Sequence, residues 1–369
     1  MKLVIFGLTI SSSWGNGHAT LWRGLCRALA AKGHRVVFFE RDAPYYAAAR
    51  DYTDIPGGKL VLYTDWRDIE TLAQREVADA DAAIVTSYCP DALRATQRIL
   101  DDGRPRTVFY DLDSPVTLAR LETGEPVDYI GQRGLADFDL VLSYAGGTAL
   151  ERLRDRLGAR RVAPLYGHVD ATVHRRVAPI LRYSADLSYL GTYSSDRQAG
   201  LDALLMEPAR RLPMRRFLIG GAQYPSDFLW RDNIYFVRHL PPGEHPAFYS
   251  SSRLTLNVTR RAMAEFGWCP SGRLFEAAAC GTAILTDSWE GLEAFFTPNS
   301  EILVARTAED AIAAIEEDET RLRRIGDAAR ERVLAEHTSD RRADDLVGLI
   351  AGRAMGAVPH PALAAGAGG

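Results

Sequence analysis

The chain has 369 residues, long enough for two domains of ordinary size, and 47% of them are hydrophobic, which suffices for large cores. Its formal net charge of -4 argues against nucleic acid as a partner, since nucleic-acid-binding proteins usually carry a strong basic excess. No apolar stretch approaches membrane-spanning length, so no integral membrane association is expected.

The four cysteines are scattered along the chain, at Cys26, Cys89, Cys269 and Cys280, without any CxxC spacing. This usage argues against a zinc site or a disulfide framework, and it favours a reducing cytoplasm as the location of the protein.

Strand and helix patterns alternate from the first residues. A strand is predicted at Lys2–Leu8, followed by a glycine-containing loop and an amphipathic helix from about His18 to Lys32, which Gly33 ends. Further strands are predicted at Arg35–Glu40, Leu60–Tyr63, Ala82–Thr86, Thr107–Tyr110, Leu140–Ser143 and Arg161–Pro164. Such alternation predicts a mostly parallel sheet with helices on both faces.

A second alternating series starts after Tyr166. Its strands are predicted at Asp186–Leu190, Arg216–Ile219, Ile234–Val237, Leu254–Asn257, Thr282–Thr286 and Glu301–Val304. Helical segments rich in Glu and Arg then run from Ala308 to about Gly352. The segment 164–176 between the two series has no clear period, which places an interdomain hinge near residue 170.

The sequence therefore predicts an α/β protein with two doubly wound domains, residues 1–170 and 171–352. Residues 353–369 are dominated by Ala, Gly and Pro without a core-forming pattern, and we expect them to be disordered. In open parallel sheets, ligands bind beyond the carboxyl ends of the strands. Both domains are therefore expected to face one shared cleft.

The segment 270–287 carries the most specific signal. Ser271 and Gly272 suit the start of a helix, Gly281 suits its end, and an apolar strand follows. A helix N-terminus beside a strand end offers unpaired backbone N–H groups to a phosphate. Glu276 lies about one turn inside this helix, where a carboxylate can bind a ribose diol. The alternative is a solvated surface glutamate, but the apolar residues on either side indicate a buried helix.

Three motifs carry a family resemblance: YDLDSPVTLARLE at 110–122, TLNVT at 255–259 and RLFEAAACG at 273–281. They resemble the CgeB-like proteins, a branch of the bacterial group 1 glycosyltransferases with the GT-B fold, over residues 1 to about 345. The resemblance implies two Rossmann-like domains, an acceptor domain and a nucleotide-sugar donor domain. It also implies sugar transfer from a nucleotide sugar, most simply a UDP-sugar, without a metal ion or a further cofactor. The acceptor stays open between a polysaccharide, a protein and a small molecule.

The resemblance also assigns donor contacts in the second domain. Glu276 corresponds to the glutamate that binds the ribose hydroxyls, in a helix that begins at Ser271, Gly272 and Arg273. The loop Gly191–Arg197 corresponds to the one that approaches the diphosphate, with Arg197 and Arg273 as the phosphate-binding arginines. Asp287 is expected near the hydroxyls of the donor sugar, although a turn-forming aspartate is the alternative. The family's paired glutamate, eight positions before Glu276, is replaced by Trp268, which leaves a retaining mechanism in doubt.

A candidate catalytic group lies in the first domain. Gly15 and Gly17 let the loop after the first strand approach the cleft and the donor. His18 resembles the histidine base of many inverting GT-B enzymes, which deprotonates the acceptor hydroxyl. Asp111 or Asp113, after a later strand, is placed to pair with it. The alternative is that His18 only caps its helix or contacts a donor phosphate.

The remaining polar residues are interpreted as structural. Asp111 and Asp113 form a DxD sequence, but their strand context differs from that of metal-dependent glycosyltransferases, so no metal site is expected. His174 lies in the predicted hinge, and His245 is interpreted as a loop residue beside two prolines.

Three other functions compete with glycosyl transfer. A nicotinamide-dependent oxidoreductase would use Glu40, at the end of the second strand, to bind ribose, but the glycine loop lacks its third glycine. A GT-B nucleotide-sugar epimerase would share Glu276 and the phosphate contacts. A non-catalytic nucleotide-sugar-binding protein would need Glu276 but not His18.

Overall fold

The structure is a computed structural model that describes residues 1–353. It holds two parallel sheets, of seven and six strands, with helices around them, which confirms the predicted α/β class with two doubly wound domains. Every strand predicted from the sequence is present, with ends that differ by at most two residues. The predicted disordered tail lies outside the described residues, apart from Arg353.

Seven parallel strands form the first sheet, in the order β3-β2-β1-β4-β5-β6-β7. They are β1 (Lys2–Gly7), β2 (Arg35–Arg41), β3 (Lys59–Tyr63), β4 (Ala82–Thr86), β5 (Arg106–Asp111), β6 (Leu140–Ser143) and β7 (Val162–Pro164). The helices of this part are α1 (Gly17–Ala31), α2 (Pro44–Ala47), α3 (Trp66–Ala78), α4 (Ala92–Asp102), α5 (Ser114–Glu122) and α6 (Thr148–Leu157). The strand order reverses between β1 and β4, where such sheets form a binding crevice.

Six parallel strands form the second sheet, in the order β10-β9-β8-β11-β12-β13. They are β8 (Ala185–Leu190), β9 (Phe217–Gly221), β10 (Ile234–Arg238), β11 (Ser252–Asn257), β12 (Ala283–Thr286) and β13 (Leu303–Val304). The helices are α7 (Gln198–Leu201), α8 (Glu207–Arg211), α9 (His245–Ser250), α10 (Arg261–Phe266), α11 (Gly272–Ala279), α12 (Ala308–Ile315), α13 (Glu319–Glu336) and α14 (Ser339–Ile350). Here the order reverses between β8 and β11.

The central strands are apolar along their length because helices cover both faces of each sheet. In β1 the four residues Leu3–Phe6 are fully buried, and in β4 so are Ala82–Val85. β1 pairs with β2 and β4, so that Leu3 lies opposite Val36 on one side and Ala82 on the other. This buried centre fixes the strand ends that carry the polar loops of the cleft.

The last described helix, α14, returns to the first domain. It packs along α1 and adds to the first core the side chains of Ala343, Leu346, Leu349 and Ile350. Arg342 Nη2 donates a hydrogen bond to the carbonyl of Gly167 at 3.1 Å. The predicted second domain, 171–352, therefore shares its last helix with the first core, and the exact division near residue 170 stays a prediction.

Candidate active site

The carboxyl ends of both sheets face one cavity of about 550 Å³. On one side it is lined by Leu8, Tyr88 and Asp113, which follow β1, β4 and β5. On the other side it is lined by Gly191 and Ala222, which follow β8 and β9. The shared cleft predicted from the alternation of strands and helices is thus present in the structure.

Helix α11 brings its N-terminal end to the cavity. Ser271, Gly272, Arg273 and Glu276 all line the cavity wall. Ser271 has the extended backbone of an N-cap residue, and within the described chain its side chain accepts no capping hydrogen bond. The first N–H groups of the helix are thus left for a ligand, and an anion is the ligand that a helix N-terminus favours.

The carboxylate of Glu276 contacts two histidines from other elements. His174 Nε2 lies 3.8 Å from Glu276 Oε1, and His245 Nδ1 lies 3.5 Å from Oε2. Burial opposes ionisation of Glu276, but His174, His245 and Arg273 outweigh it and hold the pKa of this carboxyl at about 2. Glu276 is therefore a carboxylate at neutral pH, able to accept hydrogen bonds from hydroxyl groups.

Arg273 is oriented by backbone and side-chain acceptors of the second sheet. Its Nη1 donates to Asn257 Oδ1 at 2.8 Å, and its Nε donates to the carbonyl of Leu190. The guanidinium also lies over the ring of Tyr189, 5.0 Å from its centroid. These contacts hold a positive charge beside the start of α11.

Two further arginines line the cavity near Arg273. Arg197 Nη1 donates to the carbonyl of Thr192 at 3.3 Å, and Arg260 Nε pairs with Asp196 Oδ2 at 3.0 Å. Burial acts to lower the pKa of Arg260, but the bond to Asp196 outweighs it and raises this pKa. The wall built by the second domain is therefore rich in positive charge, as a diphosphate requires.

Two glycines let the backbone approach this wall closely. A Cβ on Gly191 would lie 2.6 Å from Arg273 Nη2, and a Cβ on Gly221 would lie 2.0 Å from the carbonyl oxygen of Gly191. By contrast, a Cβ on Gly17, in the first domain, would meet no described atom within 4 Å. Gly15 has a φ of +61°, which favours glycine, and it lines the cavity.

His18 projects from the start of α1 on the opposite wall. The helix is capped by Asn16, whose Oδ1 accepts from the backbone N–H of His18 at 3.0 Å, so the imidazole of His18 is not the cap. His18 Nε2 lies 3.6 Å from Asp113 Oδ2, an ion-pair distance that is longer than a hydrogen bond. Of the two aspartates considered from the sequence, Asp113 is the one that lies beside His18 and lines the cavity.

Asp111 is fully buried at the end of β5 and is absent from the cavity lining. Its Oδ1 accepts from the backbone N–H of Asp113 at 3.0 Å. Burial raises the pKa of Asp111 to about 6, and the hydrogen bond from Asp113 only partly offsets this. Asp111 therefore shapes the turn that presents Asp113.

Asp287 is likewise engaged in its own loop and does not line the cavity. It accepts from Thr259, at 3.0 Å from the backbone N–H and at 2.8 Å from the hydroxyl. The carboxylate thus ties the end of β12 to the end of β11.

The second half of the chain matches a known family. Residues 197–348 match the family model described as glycosyl transferase-like. No curated protein matches the sequence significantly.

Solved structures match almost the whole chain. Sucrose-phosphate synthase from Thermosynechococcus elongatus is 16% identical, with a TM-score of 0.67, and the match covers 95% of this chain and 98% of that one. Anabaena HepE, solved with UDP and glucose, is 13% identical with a TM-score of 0.65 and coverages of 95% and 100%. An α-glucosyltransferase solved with UDP and mismatched DNA is 14% identical with a TM-score of 0.66 and coverages of 95% and 99%.

The chain has the GT-B fold. Among residues 1–353 there is no helix long and apolar enough to cross a membrane.

Trp268 shows what this GT-B protein has in place of the paired glutamate. Its φ is 48°, and its indole packs against Gly147 and Gly291, where a Cβ would lie 2.5 Å and 2.4 Å from ring atoms. Its carbonyl accepts from the backbone N–H of Gly146 at 2.9 Å, which links the second domain to the first. Trp268 is thus a packing residue at the domain junction.

Glu40, the ribose-binding residue of the oxidoreductase alternative, is only 1% exposed. It accepts hydrogen bonds from the hydroxyls of Thr9 and Ser11 and from the backbone N–H groups of Ile10 and Ser11, at 2.6 to 2.9 Å. Its carboxylate holds the loop that leads to Gly15 and His18 and is not open to a dinucleotide.

Three residues of the cavity region were not predicted as site residues from the sequence, where His174 and His245 were interpreted as hinge and loop residues. Arg260 directly follows the TLNVT motif, so the rule that strand ends line the cleft predicts its place. His174 and His245 reach Glu276 from separate elements, and their sequence separations of 102 and 31 residues match no motif.

Proposed function

We propose that this protein is a glycosyltransferase that moves a hexose from a UDP-sugar to a hydroxyl acceptor. The observation that carries the proposal is that one cavity joins two unlike walls. One wall holds a carboxylate, three arginines and a helix N-terminus, and the other holds the His18–Asp113 pair. The UDP ligands of two structural neighbours and the family model of the second domain support this reading.

The donor is proposed to lie against the second domain. Glu276 accepts hydrogen bonds from the ribose diol, while Arg197, Arg273 and the N-terminus of α11 bind the diphosphate. When the glycosidic bond to the diphosphate breaks, the leaving UDP gains negative charge, and these positive groups stabilise it. That role needs no metal ion.

The acceptor is proposed to lie against the first domain. His18 removes the proton of the acceptor hydroxyl as its oxygen bonds to the anomeric carbon, and Asp113 stabilises the imidazolium that forms. The likeness of residues 110–122, 255–259 and 273–281 to CgeB-like proteins supports placing the chain in that branch, with a polysaccharide, a protein or a small molecule as acceptor.

The proposal is tested by calorimetric titration of the protein with UDP, GDP, ADP, CMP and dTDP. UDP is expected to bind, and Glu276→Gln is expected to weaken its affinity by about 10- to 100-fold, since a hydrogen bond to a charged group contributes about 1.5–3 kcal/mol. The matched control is Glu265→Gln, an exposed glutamate of α10.

Two results would contradict the donor site. One is that none of the five nucleotides binds. The other is that UDP binds equally well to the wild type and to Glu276→Gln. UDP-glucose hydrolysis by the wild type, and its loss in His18→Ala, would separate an enzyme from a non-catalytic binding protein.

A further inference from the structure

Glu276, His174 and His245 form a compact group of three possible metal ligands at the base of the cavity. They come from three separate parts of the chain: the segment between β7 and β8, the first residue of α9, and the middle of α11. None of the three side chains is more than 15% exposed. The fold therefore brings these three side chains together, although they are far apart in the sequence.

Two of the three shortest distances within this group match those of a metal centre, and the third is slightly longer. His174 Nε2 lies 3.3 Å from His245 Nδ1, and Glu276 oxygens lie 3.8 Å and 3.5 Å from these two nitrogens. In a tetrahedral site with metal–ligand bonds of about 2.0–2.2 Å, neighbouring ligand atoms are about 3.3–3.6 Å apart. One cation can therefore reach all three residues with little movement.

The hydrogen bond from His245 to Leu240 uses Nε2 and leaves Nδ1 available to bind a metal ion. Its Nε2 lies 3.2 Å from the carbonyl oxygen of Leu240, and only a protonated nitrogen can donate there. In the neutral ring Nδ1 then carries a lone pair, which points at the negatively charged Glu276. A backbone carbonyl that holds the far N–H of a histidine is the usual outer partner of a metal-binding imidazole.

When both imidazoles are neutral, this group has more hydrogen-bond acceptors than protons. The two carboxylate oxygens of Glu276 and Nδ1 of His245 are then all acceptors, and His174 Nε2 supplies one proton at most. His174 Nδ1 has no hydrogen-bond partner among the described residues, so the proton of the neutral ring is favoured on Nε2, and metal binding through Nε2 displaces this proton. A cation in the middle would satisfy all the facing lone pairs at once.

We propose that His174, His245 and Glu276 bind a divalent transition-metal ion, with zinc as the probe. Two imidazoles and one carboxylate form a donor set that such ions prefer over Mg²⁺ or Ca²⁺. Because His245 and Glu276 line the cavity, the remaining coordination position faces the cavity. The ion would occupy the carboxylate assigned to ribose, so it would inhibit donor binding; this last step rests on the proposed function.

The metal site is tested on full-length protein freed of metal by a chelator that is then removed. Zinc is titrated against a chromophoric zinc chelator, with His245→Ala, His174→Ala and the control His239→Ala. His239 also lines the cavity, contacts the ring of Trp14 edge-on and lies outside the group of three. We expect the wild type and the control to bind one zinc per chain. We expect His245→Ala and His174→Ala each to bind zinc at least about 100-fold more weakly than the wild type.

The site would be overturned if the protein failed to compete with the chelator for zinc, or if His245→Ala bound zinc as tightly as the wild type. Either result would mean that a proton, and not a metal ion, bridges these residues. Thermal unfolding of each variant shows whether it is folded. His245→Gln is a second variant, since its amide N–H can still donate to Leu240. Loss of the visible Co²⁺ absorption of the wild type in a folded His245→Gln variant supports the site, and its retention contradicts it.

Inhibition is measured separately, as the UDP affinity of metal-free protein and of protein holding one zinc per chain. We expect at least a tenfold weaker UDP affinity with zinc. Unchanged UDP affinity in zinc-loaded protein would contradict the shared use of Glu276. If zinc binds but metal-free protein does not bind UDP, the proposed function fails and the metal site stands. If UDP binds but zinc does not, only the metal site fails.

Discussion

Catalysis is proposed to depend on His18 and Asp113. Their removal should lower the turnover rate, whereas removal of a donor contact should lower the affinity for UDP. His18→Ala is expected to lower the rate of UDP-sugar turnover by about 10²- to 10⁴-fold, the usual contribution of a general base. UDP affinity should stay within about twofold, because the uridine and ribose contacts lie on the other wall. Turnover and calorimetric affinity of the same preparation check this.

A loss of UDP affinity in His18→Ala would point to a different role for this residue. If His18→Ala loses UDP affinity in proportion to turnover, the imidazole contacts the donor phosphate and is not the base. Asp113→Asn then serves as the comparison, since an amide keeps the shape of the residue that lies 3.6 Å from His18 but cannot stabilise an imidazolium.

Burial of Asp111 makes the stability of the protein depend on pH. Its pKa is about 6 in the folded state and near 3.8 ordinarily, so the folded protein takes up this proton first as the pH falls. Lowering the pH from 8 to 5 should therefore stabilise the wild type relative to Asp111→Asn by about 1.4 kcal/mol, which corresponds to one pH unit below that pKa. Urea unfolding at both pH values measures it.

Asp155→Asn is the control for this measurement, because Asp155 is exposed in α6. It reports the effect of removing one surface charge, against which the Asp111→Asn difference is compared. An Asp111→Asn difference that does not change between the two pH values would show that Asp111 is ionised normally in the folded protein.

At the scale of elements, the ends of β8 and β9 depend on close backbone contact. Gly221→Ala should destabilise the protein by about 1–3 kcal/mol, because its Cβ would lie 2.0 Å from the carbonyl oxygen of Gly191. UDP affinity should fall as well, since Gly191 belongs to the proposed diphosphate loop. Urea unfolding and calorimetry measure the two effects.

Gly243→Ala is the matched change, because a Cβ there meets no described atom within 4 Å. It should alter the free energy of unfolding by less than about 0.5 kcal/mol. Equal stability of Gly221→Ala and Gly243→Ala would mean that the loop at Gly191 relaxes freely.

The elements themselves could be predicted from the sequence because each has a local cause. Apolar runs such as Ala82–Thr86 and Leu140–Ser143 are buried on both faces and were predicted with their observed ends. The ends that differ, as in Glu301–Val304 against the observed Leu303–Val304, lie where hydrogen bonds to a neighbouring strand decide where pairing starts.

At the scale of the whole molecule, α14 binds the end of the described chain to the first core. Leu346→Ala should destabilise the protein by about 2–5 kcal/mol, because it removes a buried side chain from the first core. Leu346 is only 1% exposed and belongs to a core built mostly from residues more than 150 positions earlier in the chain. Arg341→Ala, in the same helix, should cost less than about 1 kcal/mol, since its side chain is 63% exposed and lies 3.9 Å from Asp345. Thermal unfolding compares the two.

This prediction would be contradicted if Leu346→Ala unfolded at the same temperature as Arg341→Ala. In that case α14 would add little to the first core, and the division of the chain at residue 170 would describe two independent domains.

The cavity also depends on contacts made across the domains. Gln223 Nε2 donates to Tyr45 Oη at 2.9 Å, and the rings of Trp14 and His239 lie 4.5 Å apart. Movement of one domain against the other would change access to Glu276 and His18 together, because these residues line opposite walls of one cavity.

The sequence by itself determined the α/β class, the two series of strands, the shared cleft at their carboxyl ends, and the positions of Glu276, Arg273 and His18 on its walls. The class, the strands and the cleft follow from local periodicity and helix start signals, which act over a few residues. The places of Glu276, Arg273 and His18 were implied by the resemblance to GT-B glycosyltransferases. Only the tertiary structure decided that Asp113 and not Asp111 lies beside His18, that Glu40 is enclosed by its own loop, and that α14 returns to the first core. It also brought His174 and His245 to Glu276. The physical reason is that burial and side-chain contacts depend on residues far apart in the chain, which no local pattern records.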